Sequence, residues 1–125
     1  MARIIREIQI EGKPGIALFD TGSMHTYIRS QFLVDVPKRS ITKPHRVALG
    51  GNQIEVRELC VALGEIEGLE FDAEAVPMDE IGRADGHELD AIIGALTMEK
   101  WEIKLDPRKQ QLDLEGLRRR EFTQF

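Results

Sequence analysis

The hydrophobic residues near the start of the chain follow the two-residue period of β-strands. In "IIREIQI" (residues 4–10) the isoleucines approximate that period, which is typical of a strand buried on one face. Residues 16–19 are continuously apolar, as expected of a strand covered on both faces. Between the two, "EGKPG" (residues 11–15) contains the glycine and proline of a turn. We therefore expect the first two strands to form a hairpin.

A second hairpin is predicted over residues 45–59, "HRVALGGNQIEVREL", where apolar residues recur on both arms. Its tip is formed by Gly50, Gly51 and Asn52, because glycine adopts positive φ at low cost.

The segments on either side of this hairpin differ in pattern. Two further strands are predicted over residues 60–78, with Gly64 and Gly68 near the turn that joins them. Residues 29–45 carry mixed charge and two prolines, so we expect irregular structure there. Residues 79–90 are expected to be a polar loop.

The last third of the chain contains the one helical pattern. "AIIG" (residues 91–94) predicts a short buried strand that ends in glycine, and residues 95–105 predict a helix. The residues expected on its inward face are Leu96, Met98 and Trp101. Residues 104–114 predict a closing hairpin, since Asp106-Pro107 favours a turn. The fold class predicted is all-β with one short late helix.

Composition narrows the class of protein. A chain of 125 residues suits a single domain over residues 1–125, and 42% hydrophobic with 31% charged residues is typical of a globular protein. The formal net charge of -5 argues against a nucleic-acid partner. The basic run 118–120 is interpreted as a solvated tail.

The sequence shows neither a targeting segment nor a reactive cysteine motif. The N-terminus has no apolar core of a signal peptide, and no apolar run approaches the ~18 residues of a spanning helix. We therefore expect a cytoplasmic protein with no membrane partner. Cys60 is the single cysteine and lies in an apolar run, so we expect a buried structural thiol.

The candidate chemistry lies in "IALFDTGSMHTYI" (residues 16–28), where one acid ends an apolar run. An aspartate at a strand end often accepts hydrogen bonds from the next backbone N–H groups in a simple turn. Here apolar runs flank Asp20 on both sides, which predicts a buried turn. A buried carboxylate is costly unless it is paired or hydrogen-bonded, so a functional carboxylate is the stronger interpretation.

These motifs together resemble the retropepsin-like aspartic proteases, the single-domain relatives of pepsin. The resemblance runs in order from an N-terminal hairpin into "ALFDTGS", through a glycine-tipped hairpin at "ALGGNQ", to "AIIG" and its helix. It implies an all-β, closed acid-protease barrel. Because the chain holds one D-T-G, it also implies that the active form is a homodimer.

The resemblance assigns chemistry to the D-T-G loop. Asp20 of each subunit would share one proton around one water, and the two titrations would belong to the pair. Thr21 would bond across the dyad to the partner loop, and Gly22 would leave room for the carboxylates. Ser23 stands where retroviral enzymes carry alanine; its hydroxyl would donate to the ionised carboxylate and lower the apparent pKa of the dyad.

Two further segments receive roles by the same resemblance. Ile92, Ile93 and Gly94 would pack beneath the D-T-G loop as its support. The flap residues, which would close over an extended peptide or protein substrate and exclude water, are Leu49, Gly50, Gly51 and Asn52. The helix begins Ala95-Leu96-Thr97 and lacks the Arg-Asn of retroviral enzymes, which leaves open the subunit contacts that those residues make.

The resulting hypothesis is an aspartic endopeptidase that uses neither metal nor organic cofactor. The alternative is a catalytically silent retropepsin-like domain that serves as a dimerisation or peptide-binding module. A phosphate-binding D-x-G-S loop of the actin and sugar-kinase class is disfavoured, because that fold needs two large α/β domains. A metal site is also disfavoured, because the spacing of the histidines and nearby acids fits no zinc or calcium pattern; these residues are His25, His45, His87, Asp85, Glu88 and Asp90.

Overall fold

A computed structural model describes residues 2–122 of the chain. Of these residues 57% lie in strands and 12% in helices, so the prediction of an all-β fold is confirmed. The strands are β1 (Arg3–Ile10), β2 (Lys13–Asp20), β3 (Thr26–Arg29), β4 (Arg39–Leu49), β5 (Asn52–Ile66), β6 (Leu69–Met78), β7 (Arg83–Ala84), β8 (His87–Glu88), β9 (Ala91–Ile93), β10 (Lys104–Asp106) and β11 (Gln111–Asp113). The α-helices are α1 (Ala95–Trp101) and α2 (Glu115–Arg119), and one 3₁₀ turn spans Ser30–Phe32.

Seven strands form one sheet that closes on itself. Their order is β1-β2-β9-β3-β6-β5-β4, and β1 pairs additionally with β5. That extra pairing joins Gln9 to Glu65 and Ile10 to Gly64, so six of the strands make a ring, with β4 attached outside it. The closed barrel and its N-terminal hairpin β1–β2 are therefore as predicted.

The barrel interior is filled by large apolar side chains from all sides of the ring. Phe19, Phe71 and Leu33 are at most 1% exposed. Gly64 contributes to this packing, because a Cβ there would meet the ring of Phe71 at 2.5 Å. The β5–β6 turn is at Glu67 and Gly68, both with positive φ, and Gly64 lies in β5 two residues before the strand ends.

Two segments predicted to be irregular are more ordered than expected. The strand β4 already begins at Arg39, and a register shift against β5 between Ser40 and His45 absorbs the residues around Pro44. The predicted polar loop over residues 79–90 contains the small hairpin β7–β8. Its turn lies at Asp85 and Gly86, which both have positive φ.

The helix α1 has a different inward face from the one predicted. Met98 and Trp101 are buried as expected, but Leu96 is 53% exposed. The helix is only seven residues long and buries Thr97, Met98 and Trp101, so its inward face excludes the second position, where Leu96 lies. Within residues 2–122, no helix is long and apolar enough to cross a membrane.

The C-terminal region forms the predicted hairpin β10–β11 and then the unpredicted helix α2. Leu117 of α2 is fully buried. The basic run 118–120 is exposed to solvent as predicted, but it belongs to the end of α2 rather than to a free tail, and its guanidinium groups have partners. Arg119 lies 3.2 Å from Glu102, and Arg120 donates to the Glu70 carbonyl and stacks 5.0 Å from the centre of the Trp101 ring.

Candidate active site

Asp20 is the last residue of β2, where the buried strand leaves the barrel. The preceding Phe19 is 0% exposed, whereas the Asp20 side chain is 20% exposed. One carboxylate oxygen accepts the Gly22 N–H at 2.8 Å, and the other lies 3.9 Å from the Nε of Arg3 on the neighbouring strand. The Gly22 N–H thus orients the carboxylate, and its second oxygen faces the guanidinium of Arg3.

The D-T-G-S turn itself lies at the surface of the single chain. Thr21 and Gly22 are exposed, and Ser23 is half-buried. The prediction of a buried turn is therefore wrong for one chain, because the apolar runs on both sides enter the barrel while the turn projects from its end.

Thr21 ties the loop to the N-terminus of the chain. Its hydroxyl accepts the Ala2 N–H at 2.9 Å, and its own N–H donates to the Ala2 carbonyl at 3.1 Å. The predicted hydrogen bond from Thr21 to the loop of a second subunit can form only in a dimer, and it stays a prediction.

Ser23 does not make the hydrogen bond predicted for it. Its hydroxyl donates to the carbonyl of His25 at 2.9 Å, and its N–H donates to the backbone carbonyl of Asp20 at 3.1 Å. A hydroxyl has one proton to donate. Because that proton is used two residues along the chain, the predicted donation to the Asp20 carboxylate is absent from the single chain.

The strand β9 lies parallel to β2 directly beside the loop. Ile92 is in register with Leu18 and Ile93 with Phe19. After Gly94 the chain turns into α1, whose first N–H groups donate back to the loop: Ala95 to the Ser23 carbonyl at 2.6 Å and Leu96 to the Met24 carbonyl at 3.2 Å.

Two buried threonines complete this junction, and sequence reasoning missed both. The hydroxyl of Thr26 accepts the Gly94 N–H at 3.0 Å and lies 2.7 Å from the hydroxyl of Thr97. Both residues are at most 6% exposed. The available signal was a hydroxyl within the apolar run "TYI", where a buried polar side chain requires a partner.

Asp90 makes structural contacts near the loop that the sequence did not reveal. One carboxylate oxygen accepts the Ile16 N–H at 2.8 Å, and the other accepts Arg29 at 3.0 Å. The Asp90 N–H donates to the Ile16 carbonyl and its carbonyl accepts the Arg29 N–H. This aspartate therefore joins β2 and β3, the two strands that flank the loop, to the start of β9.

The glycine-tipped hairpin lies over the same end of the barrel. Gly50 and Gly51 both have positive φ, which is the geometry of a two-residue hairpin turn, and Leu49 pairs with Asn52 across it. The side chain of Leu49 is half-buried, whereas the other three tip residues are exposed. It packs with other flap residues against an apolar cluster that includes Ile92.

Ring contacts show how close the flap strand comes to the loop. His25 follows the D-T-G-S turn, and His45 lies on β4; their ring centroids are 6.2 Å apart. Tyr27, whose pKa is raised by burial, meets the His25 ring edge-on at 6.5 Å. Within residues 2–122, no group of three or more His, Cys, Asp or Glu side chains could hold a metal ion.

Comparison with solved structures places this architecture among retroviral proteases. The protease of simian foamy virus (mac), in a solution structure, is matched with a TM-score of 0.50 and 15% identity over 76% of this chain and 91% of that chain. The EIAV protease complexed with the inhibitor HBY-793 is matched with a TM-score of 0.60 and 16% identity, over 83% and 92%. No protein-family model and no curated protein matches the sequence. The chain has the retropepsin-like fold.

Proposed function

We propose that the protein is an aspartic endopeptidase whose active form is a homodimer. The observation that carries the proposal is the placement of Asp20: a carboxylate at the exposed end of a buried strand, oriented by the Gly22 N–H, with the flap hairpin over the same end of the barrel. One chain supplies one such acid. A second copy related by a two-fold axis would bring its own Asp20 to the same place.

The chemistry follows from two carboxylates that share one proton. The ionised Asp20 takes a proton from a bound water as the water oxygen attacks the peptide carbonyl carbon. The protonated Asp20 of the partner subunit gives its proton to the carbonyl oxygen, which forms a tetrahedral diol. A proton then passes to the amide nitrogen and the C–N bond breaks, leaving a carboxyl group and an amine. The flap would exclude other water during these steps.

The surface position of the loop supports a shared site. Exposed Thr21 and Gly22 leave the turn open to a second copy, and the exposed Met24, at 62%, adds apolar surface beside it. Behind the loop, the Asp90 and Thr26 contacts fix the strands that carry Asp20.

A mixing experiment tests both the chemistry and the shared site. Wild-type chain is unfolded and refolded with Asp20→Asn in varying proportion, and cleavage of a peptide library is measured by mass spectrometry. If each site needs two aspartates, an equal mixture keeps about one quarter of the wild-type activity, and Asp20→Asn alone has none. A linear dependence on the wild-type fraction would contradict the shared site. A dimer that cleaves no peptide would favour the binding module.

A further inference from the structure

The two imidazole rings between loop and flap have no assigned task in the chemistry above. His25 is half-buried and His45 is exposed, and their rings meet at a tilt of 42° with centroids 6.2 Å apart. Among residues 2–122, no hydrogen bond or ion pair uses a ring nitrogen of either one. Their donors and acceptors are therefore open to a ligand.

The placement of the pair suits a substrate side chain. His25 lies five positions after Asp20, and His45 lies on the flap strand four positions before Leu49. A peptide held between flap and loop would pass this pair on its way to the carboxylates. An extended peptide points alternate side chains to opposite faces, so one of them would lie between the two rings.

The hydrogen-bonding groups of the pair indicate the kind of side chain that it would bind, and the neighbouring cavity adds one opposing charge. A cavity of about 170 Å³ next to His25 is also lined by Glu74 of β6 and Lys100 of α1. Lys100 is paired with Asp72 at 2.5 Å, so within residues 2–122 Glu74 is the unpaired charge of the cavity wall, and it disfavours an acidic ligand. Two imidazoles offer up to four N–H donors when protonated, and such donors bind carboxylates by charge-assisted hydrogen bonds.

We infer that His25 and His45 form a specificity site for an acidic side chain of the substrate, a few residues from the scissile bond. The inference rests on the proposed peptidase function. A homodimer would present the pair twice, so acidic residues would be favoured on both sides of the cleaved bond. Glu74 opposes this preference, and its removal would strengthen it.

Binding to an inactive dimer separates this inference from catalysis. Asp20→Asn is titrated with fluorescein-labelled peptides that have an apolar centre and one Glu, Gln or Lys at each flanking position in turn. The titrations are followed by fluorescence anisotropy in mildly acidic buffer, at about pH 5.5. We expect Glu peptides to bind about tenfold more tightly than matched Gln peptides at one position on each side.

Variants of the histidines supply the decisive comparison. In the Asp20→Asn background, His25→Phe and His45→Phe keep an aromatic ring and are expected to remove most of the Glu preference while affinity for Gln peptides is retained. His87→Phe, on β8 and outside the pair, is the matched control and should keep the preference for Glu peptides. His25→Gln and His45→Gln replace the Phe variants if these fail to dimerise. Glu74→Gln should increase the preference.

Several results would overturn the inference. These are an equal Glu preference in the histidine variants, tighter binding of Lys peptides, or no peptide binding by a folded dimer. Wild-type protein that cleaves peptides without regard to acidic residues would overturn it and leave the protease proposal standing. Histidine-dependent binding of Glu peptides without cleavage by the wild type would support the inference and contradict the protease proposal.

Discussion

The α-carbon of Gly94 faces the backbone carbonyl of His25 so closely that a Cβ at position 94 would overlap that carbonyl. The contact lies where β9 passes behind the D-T-G-S loop and turns into α1. Because both partners are backbone atoms, neither can rotate away as a side chain would. The loop can lie this close to β9 only because residue 94 is a glycine and has no side chain.

Gly94→Ala should destabilise the protein severely. We expect the free energy of unfolding to fall by about 3 kcal/mol or more, since backbone must shift to admit the methyl group. Urea unfolding followed by the fluorescence of Trp101, the single tryptophan, measures the change. Gly12→Ala is the control: it has open space but φ of +79°, so a cost of about 1 kcal/mol is expected. Equal losses in the two variants would contradict the close contact.

The buried hydroxyl pair should be energetically coupled. Thr26→Val leaves the Gly94 N–H without its acceptor and is expected to cost about 2 kcal/mol, whereas Thr97→Val should cost about 1 kcal/mol. The double variant should then lose less than the sum of the two, by about 1 kcal/mol. Unfolding in urea measures all three variants. Thr42→Val on the exposed part of β4 is the matched control, and strict additivity of the pair would rule out the shared hydrogen bond.

Ser23→Ala tests the hydrogen bond that replaces the predicted one. The hydroxyl donates to the His25 carbonyl rather than to Asp20, so its loss should lower stability by about 1 kcal/mol. The dependence of peptide cleavage on pH should stay unchanged. The measurement is the pH–rate profile of wild type and of Ser23→Ala, recorded side by side. A displaced profile for Ser23→Ala would indicate that the hydroxyl contacts the Asp20 carboxylate directly.

The main chain of the fold could be predicted because local patterns determine it. The period of apolar residues and the glycines at positions 50 and 51 identify both hairpins, and "LFDTGS" identifies the strand that ends in the acid. The packing role of Gly64 could not be predicted, because a glycine in a strand and one in a turn look alike in sequence. What requires a glycine at position 64 is the ring of Phe71, which is in register with Gly64 on the neighbouring strand β6 and lies seven positions further along the chain.

The candidate site was predictable only in its first residues. Asp20 stands out as a lone acid beside apolar runs, but its neighbours depend on contacts between distant segments. Asp90 meets Ile16 across 74 positions and Thr26 meets Thr97 across 71. A single sequence carries no information on such pairs beyond the rule that buried polar groups require partners.

Asp90 should be a strong determinant of stability. Asp90→Ala leaves the Ile16 N–H and the Arg29 guanidinium without their acceptors, for an expected loss of about 3 kcal/mol. Asp90→Asn retains one acceptor and should lose less. Glu88→Gln is the control, since that exposed carboxylate lies 3.5 Å from Arg29 and exposed pairs contribute at most about 1 kcal/mol. Chemical unfolding at neutral pH compares them, and an Asp90→Ala value as small as that of Glu88→Gln would contradict the buried bridge.

Cys60 should make the stability of the protein depend on alkaline pH. Burial raises the pKa of its thiol above the ordinary value of 9.0, and its Sγ lies 3.7 Å from the Ala75 carbonyl. Above that ordinary value the unfolded chain loses the proton while the folded chain keeps it. Stability is therefore complete below it and is lost as pH rises towards the raised pKa, with a slope of up to about 1.4 kcal/mol per pH unit.

Cys60→Ala isolates this contribution. The variant should be less stable than wild type at neutral pH by an amount that reflects the lost side chain, and the gap should narrow as pH rises. Urea unfolding from about pH 7 to about pH 10 covers the window in which a free thiol titrates. Burial also raises the pKa of Tyr27 above 10.0, but that residue is present in both proteins and cancels in the difference. A gap that stays constant with pH would mean that the thiol ionises as readily in the folded chain as in the unfolded one.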